Sequence, residues 1–91
     1  GIAKDYLQAV TWYRKAAIQG DDIAQYNLAT LYTNGFGVSQ DLVQAYKWFV
    51  IAAGKQKAAL TKRDFVATYM TSQQISEAKK QAKEWLNTNS I

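Results

Sequence analysis

Ninety-one residues with a formal net charge of +4 make one small domain, enough for a modest core and no more. With no cysteine, disulfides and thiolate metal sites are excluded; with no histidine, the commonest general base, metal ligand and near-neutral pH switch are gone. Chemistry would have to rest on Asp, Glu, Lys, Tyr or Ser alone, so no catalytic, metal or cofactor site is expected.

In chain order, Ala9, Trp12, Tyr13, Ala16 and Ala17 recur with the spacing of one face of an α-helix. Asp5 with Gln8 fits a capping box at its start, and Gly20 stands where a left-handed residue would close it. Ala24, Leu28, Leu31 and Tyr32 mark a second amphipathic helix from about Asp22 to Thr33, ended by Asn34-Gly35. Asp41 with Gln44 repeats the capping device before a third helix, which Gly54 closes. Thr71 with Gln74 opens the last helix, whose apolar stripe is Ile75, Ala78, Ala82, Trp85 and Leu86. Nothing in the chain alternates as a strand does.

The stretch LYTNGFGVSQD raises the question of a phosphate-binding loop, because glycine turns leading into helices can cradle anions. A shift of 36 positions, which carries Trp12 onto Trp48, answers it. Under that shift Gly1 and Asp5 fall on Gly37 and Asp41, and Ala9, Tyr13, Ala16 and Ala17 fall on Ala45, Phe49, Ala52 and Ala53. The glycine turn is therefore part of a repeating structural unit, and it lacks the Lys-Ser/Thr of a phosphate loop. At the same repeat phase, Trp12 and Trp48 read as packing residues between helices, with the alanine pairs allowing close approach; Trp85 reads likewise.

Residues 24–53, AQYNLATLYTNGFGVSQDLVQAYKWFVIAA, resemble one unit of the Sel-1-like repeat family, helical-hairpin relatives of tetratricopeptide repeats. The matching positions are Ala24, Leu28, Tyr32, Gly35, Gly37, Val38, Asp41, Ala45, Trp48, Ala52 and Ala53; Ala29 and Phe49 depart from the family's usual Gly and Tyr. The resemblance implies an all-α right-handed superhelix fragment of about five helices. Residues 1–20 would be the second helix of a truncated repeat, 21–54 one full hairpin, and 55–91 a closing helix pair. It also implies a non-catalytic scaffold whose partners are proteins or peptides, and upstream repeats of the same chain. Cysteine-rich members credited with β-lactam chemistry have a disulfide framework that this chain lacks.

In the related tetratricopeptide units the first helix lines a concave groove, which transfers here to Tyr26, Asn27, Thr30, Thr33 and Asn34. Tyr26 is expected to be the one aromatic of that helix pointing away from the core. Tyr6, Ala9, Trp12, Tyr13 and Ala16 lie on a helix without its hairpin partner, so that face is expected to be open to self-association. From Lys55 onward, seven Lys and Arg residues, among them Lys62, Lys79, Lys80 and Lys83, stand against Asp64, Glu77 and Glu84. This bias makes a basic nucleic-acid-binding module the alternative, although interspersed acids read better as a solvated helix face. No apolar run approaches the ~20 residues that span a bilayer. The chain begins with Gly rather than Met, so it reads as a piece of a longer polypeptide and its compartment is unknown.

Overall fold

The computed structural model describes residues 2–89, with side chains from Asp5 onward. Five helices follow one another: α1 (Ile2–Ile18), α2 (Asp22–Asn34), α3 (Leu42–Ala52), α4 (Ala58–Ala67) and α5 (Ser72–Asn89). No strand occurs among the described residues. Each of the first three helices packs on the next, and α3 also receives both α4 and α5. The closing helices are thus joined through α3 rather than chiefly through each other.

The core follows the helical stripes. Ala24, Leu28, Leu31 and Tyr32 of α2 are buried, as are Ala45, Trp48, Phe49 and Ala52 of α3. Val66 of α4 and Ala78 and Ala82 of α5 complete it, while Leu86 stays largely exposed. Small residues at the contacts let backbones approach, and large rings fill what remains. Two polar links tie α1 to α2: Arg14 donates to the Tyr32 hydroxyl at 2.9 Å, and the buried Gln25 amide donates to Ala17 O at 3.1 Å.

The helix ends differ from expectation in three places. Asp5 does not cap α1, because the helix already begins at Ile2 and Asp5 sits inside its first turn, where its charge still suits the helix dipole. Asp41 does cap α3, accepting from the Gln44 amide N–H at 3.1 Å. The Gln44 side chain does not reach back, however; it donates across to Gln81 of α5. Gly54 is not left-handed: α3 ends at Ala53 in the right-handed region, and the turn continues through Lys55 and Gln56 N–H bonds to Ala52 O. Thr71 and Gln74 form both halves of their box, at 2.9 and 3.1 Å. Asp21, unremarked in the sequence, caps α2 by accepting from Ala24 N–H.

The glycine turn joins the two helices of the hairpin, α2 and α3. Gly35 closes α2 at φ 71° and Gly37 follows at φ 74°, both left-handed. Between them Phe36 stacks on Tyr6 of α1 with ring centroids 4.9 Å apart. A Cβ on Gly37 would run into the Tyr6 backbone carbonyl, so this glycine is where the turn lies directly on α1. Gly1, its repeat counterpart, lies outside the described residues.

Trp12 is 68% exposed, whereas Trp48 at the same repeat phase is 5% exposed. Trp12 is therefore not the packing residue its repeat position suggests. The reason is environment: Trp48 has α5 beside it and meets Trp85 edge-to-face at 5.6 Å, while Trp12 touches only its neighbour Tyr13 among aromatics.

Candidate protein-binding groove

Two adjoining clefts run between the C-terminal half of α2 and the outer face of α4. The first, about 120 Å³, is lined by Thr30, Thr33 and Asn34 on one side, Lys62 and Phe65 on the other, over Phe49 and Val66. The second, about 320 Å³, shares Thr33, Asn34, Phe65 and Val66 and continues to Gln40, Leu42 and Tyr69. The shared residues make them one surface with two lobes.

Each wall is set by helical spacing. On α4 the buried side is Ala59 and Val66, a heptad apart, which turns Phe65 outward, and Tyr69 follows in the exposed turn past the helix end. These two, one turn apart, are 55% and 68% exposed and meet edge-to-face at 5.4 Å. Such a pair offers flat apolar area to a partner. On α2 the Thr30 and Thr33 hydroxyls donate to Tyr26 O and Ala29 O, so their lone pairs remain available to accept. Three carbonyls near the end of α2 are already used: Leu31 O by Gly35 N–H, Tyr32 O by Asp41 N–H, and Thr33 O by the Gln40 amide.

Of the five residues expected to line a groove, Thr30, Thr33 and Asn34 come together here and Tyr26 and Asn27 line neither lobe. Tyr26 does not point away from the core. It is half-buried and packs edge-to-face on Phe49 at 5.5 Å, because the α2–α3 seam is wide enough to take its ring. Sequence reasoning read Lys62 only as part of the basic bias of the C-terminal half, and it missed Phe65 and Tyr69. Their signal was present in RDFVATYM, where two aromatics four apart fall off the Val66 side of the helix.

The basic residues of α5 stand elsewhere. Lys79, Lys80 and Lys83 are exposed and line neither lobe. Glu77 accepts from the Gln81 amide at 2.9 Å. Lys47 lies 4.8 Å over the Trp48 ring; burial pushes its pKa below the usual lysine value, with nearby Glu84 partly opposing this. Arg63 is paired with its neighbour Asp64 at 2.7 Å, which leaves Lys62 as the one charged group lining either lobe. Among the described residues no cluster of acidic side chains could hold a metal, and no helix is long and apolar enough to cross a membrane.

A run of helices stacked through one shared neighbour, with a groove between α2 and α4, defines a helical-repeat fold. The family model described as the Sel1 repeat matches residues 1–21 and 22–55, more than half of the chain, and the chain belongs to that family. The fold is similar to the crystal structure of c5321, a protective antigen present in uropathogenic Escherichia coli strains displaying an SLR fold. That likeness has a TM-score of 0.87 at 34% sequence identity and covers 92% of this chain. This chain spans only 18% of the length of that one. No curated protein matches it.

Proposed function

We propose that the chain is a non-catalytic interaction module, one stretch of a longer Sel1-repeat array, which takes an extended segment of a protein partner into the α2–α4 groove. The observation that carries this reading is the exposed Phe65–Tyr69 pair facing Thr30, Thr33 and Asn34 across a buried floor. Interface energy concentrates in a few aromatic anchors, and polar groups beside them fix orientation. Membership of a scaffold-like repeat family and likeness to a much longer repeat protein support it.

In this reading residues 1–20 complete a preceding unit, 21–54 form a full hairpin and 55–91 close the array. The exposed α1 residues Leu7 and Trp12 then meet the preceding hairpin or, in its absence, a second copy.

The test is partner capture from a source-cell lysate by the wild type, by Phe65→Ala/Tyr69→Ala, and by Tyr26→Ala/Asn27→Ala. Removing the α4 pair should weaken capture at least tenfold, since truncating an aromatic hot spot typically costs about 2 kcal/mol or more. The fold should survive, both side chains being largely exposed. The Tyr26→Ala/Asn27→Ala variant should lose stability in preference to binding, because Tyr26 packs on Phe49. Unchanged capture by a folded Phe65→Ala/Tyr69→Ala variant would remove the groove from the account.

A further inference from the structure

We propose that the segment taken by the groove is acidic: an extended peptide with an Asp or Glu side chain at one position and an apolar side chain two residues away. The inference rests on the groove reading above and adds the partner's chemistry to it.

Three observations lead there. Lys62 is the one charged residue lining the two lobes, and no carboxylate lines either. Its neighbour Arg63 is occupied by Asp64, so Lys62 supplies the groove's charge without an internal partner to neutralise it. Three of the carbonyls at the end of α2, those of Leu31, Tyr32 and Thr33, are already bonded within the chain, so they do not compete for the peptide's N–H groups.

Spacing sets the register. Lys62 and Phe65 stand three apart on α4, and such neighbours lie about 5–6 Å apart; Tyr69, in the turn just past Ala67, follows with its ring centroid 5.4 Å from that of Phe65. Alternate side chains of an extended strand stand roughly 6.5–7 Å apart on one side. A carboxylate at one position and an apolar group two along therefore meet Lys62 and then Phe65, with a further apolar group two beyond reaching Tyr69. The opposite wall suits a peptide backbone. Thr30 and Thr33 offer hydroxyl lone pairs to its N–H groups, and the Asn34 amide, which forms no hydrogen bond within the described residues, can donate to a carbonyl. Nucleic acid fits less well, because its affinity is built from several phosphate contacts and this groove carries one cation.

The experiment measures fluorescence polarisation with a labelled nine-residue peptide carrying Glu-Ser-Leu-Ser-Leu at its centre. Control peptides place Gln or Lys at the Glu position, and a single-stranded oligonucleotide of similar length serves as the nucleic-acid probe. The Glu peptide should bind about tenfold or more tightly than the Gln peptide, as expected for a charge-assisted hydrogen bond. That preference should vanish in Lys62→Met and pass to the Lys peptide in Lys62→Glu, while Phe65→Ala/Tyr69→Ala should abolish binding of all three.

Equal binding of the Glu and Gln peptides that still requires Phe65 and Tyr69 overturns the acidic assignment and leaves the groove standing. Absence of peptide binding, or binding indifferent to Phe65→Ala/Tyr69→Ala, overturns both. Tighter binding of the oligonucleotide, lost in Lys62→Met, overturns the peptide assignment in favour of nucleic acid.

Discussion

Gly37→Val should be the most damaging change in the turn, lowering stability by about 2–4 kcal/mol, from backbone strain and overpacking together. Gly37 has φ 74°, a region that a β-branched residue enters only under strain. Its added Cβ would also meet Tyr6 of α1, where the obstruction is backbone rather than a side chain that could swing aside. Relief requires the turn to lift off α1, which unstacks Phe36 from Tyr6. Gly35→Val carries similar strain at φ 71°, but its nearest obstacle, Gln40 N, lies 3.3 Å away, a tight contact that a small shift relieves. Gly20→Ala meets nothing within 4 Å and should show the strain of φ 100° alone. The order Gly37, Gly35, Gly20 should appear in urea midpoints at unchanged slope. In thermal melts each kcal/mol should move the midpoint by about 4–8 °C. Added ATP should leave the wild-type midpoint where it is; a saturable shift would restore the phosphate-loop reading.

Trp48→Ala should cost about 3–5 kcal/mol, while Trp12→Ala should stay within roughly 0.5 kcal/mol of the wild type. The two tryptophans hold the same place in the repeat, so the contrast isolates environment from motif. Trp48 is buried in the helix that α2, α4 and α5 all touch, and it supports Trp85 across the seam. Its removal leaves a cavity in the core beside Trp85, and the structure relaxes into it only in part. Trp12 has little to lose, since most of its surface already faces solvent. Equal losses at the two positions in denaturant titrations would show that α1 is packed far more fully than its exposed Leu7 and Trp12 indicate.

That contrast also shows what could be read in the sequence. Helical periodicity and capping pairs are local, and they placed the α2 stripe, the α3 start and the Thr71–Gln74 box where the structure has them. The glycine turn was legible for the same reason, because positive φ is a demand of the backbone itself. Burial is not local. Trp12 and Trp48 share a motif but not neighbours, and a motif does not say what stands opposite it. Tyr26 was assigned to the surface because it lies off the Ala24–Leu28–Tyr32 stripe. It is instead held by Phe49, a residue of the next helix whose reach depends on the α2–α3 seam.

The groove was half legible. Thr30, Thr33 and Asn34 could be carried over from the family pattern, since α2 is the repeat's first helix. The wall opposite comes from α4, which lies outside the residues that match the repeat. Phe65 and Tyr69 carry no repeat-pattern signal there, and an aromatic in a small helical protein is as readily a core residue as a surface one. Only the burial of Val66 between them shows which way they face.

Central to this account is that the α2–α4 groove, and no other surface, receives the partner. Amide-resolved NMR of the ¹⁵N-labelled chain, titrated with the captured partner segment, tests it most directly. The account predicts that the shifted amides cluster at Thr30, Thr33, Asn34, Lys62, Phe65 and Tyr69 and that α1 and α5 stay silent. Shifts centred on Leu7 and Trp12, or on Lys79, Lys80 and Lys83, with the groove amides unmoved, would contradict it.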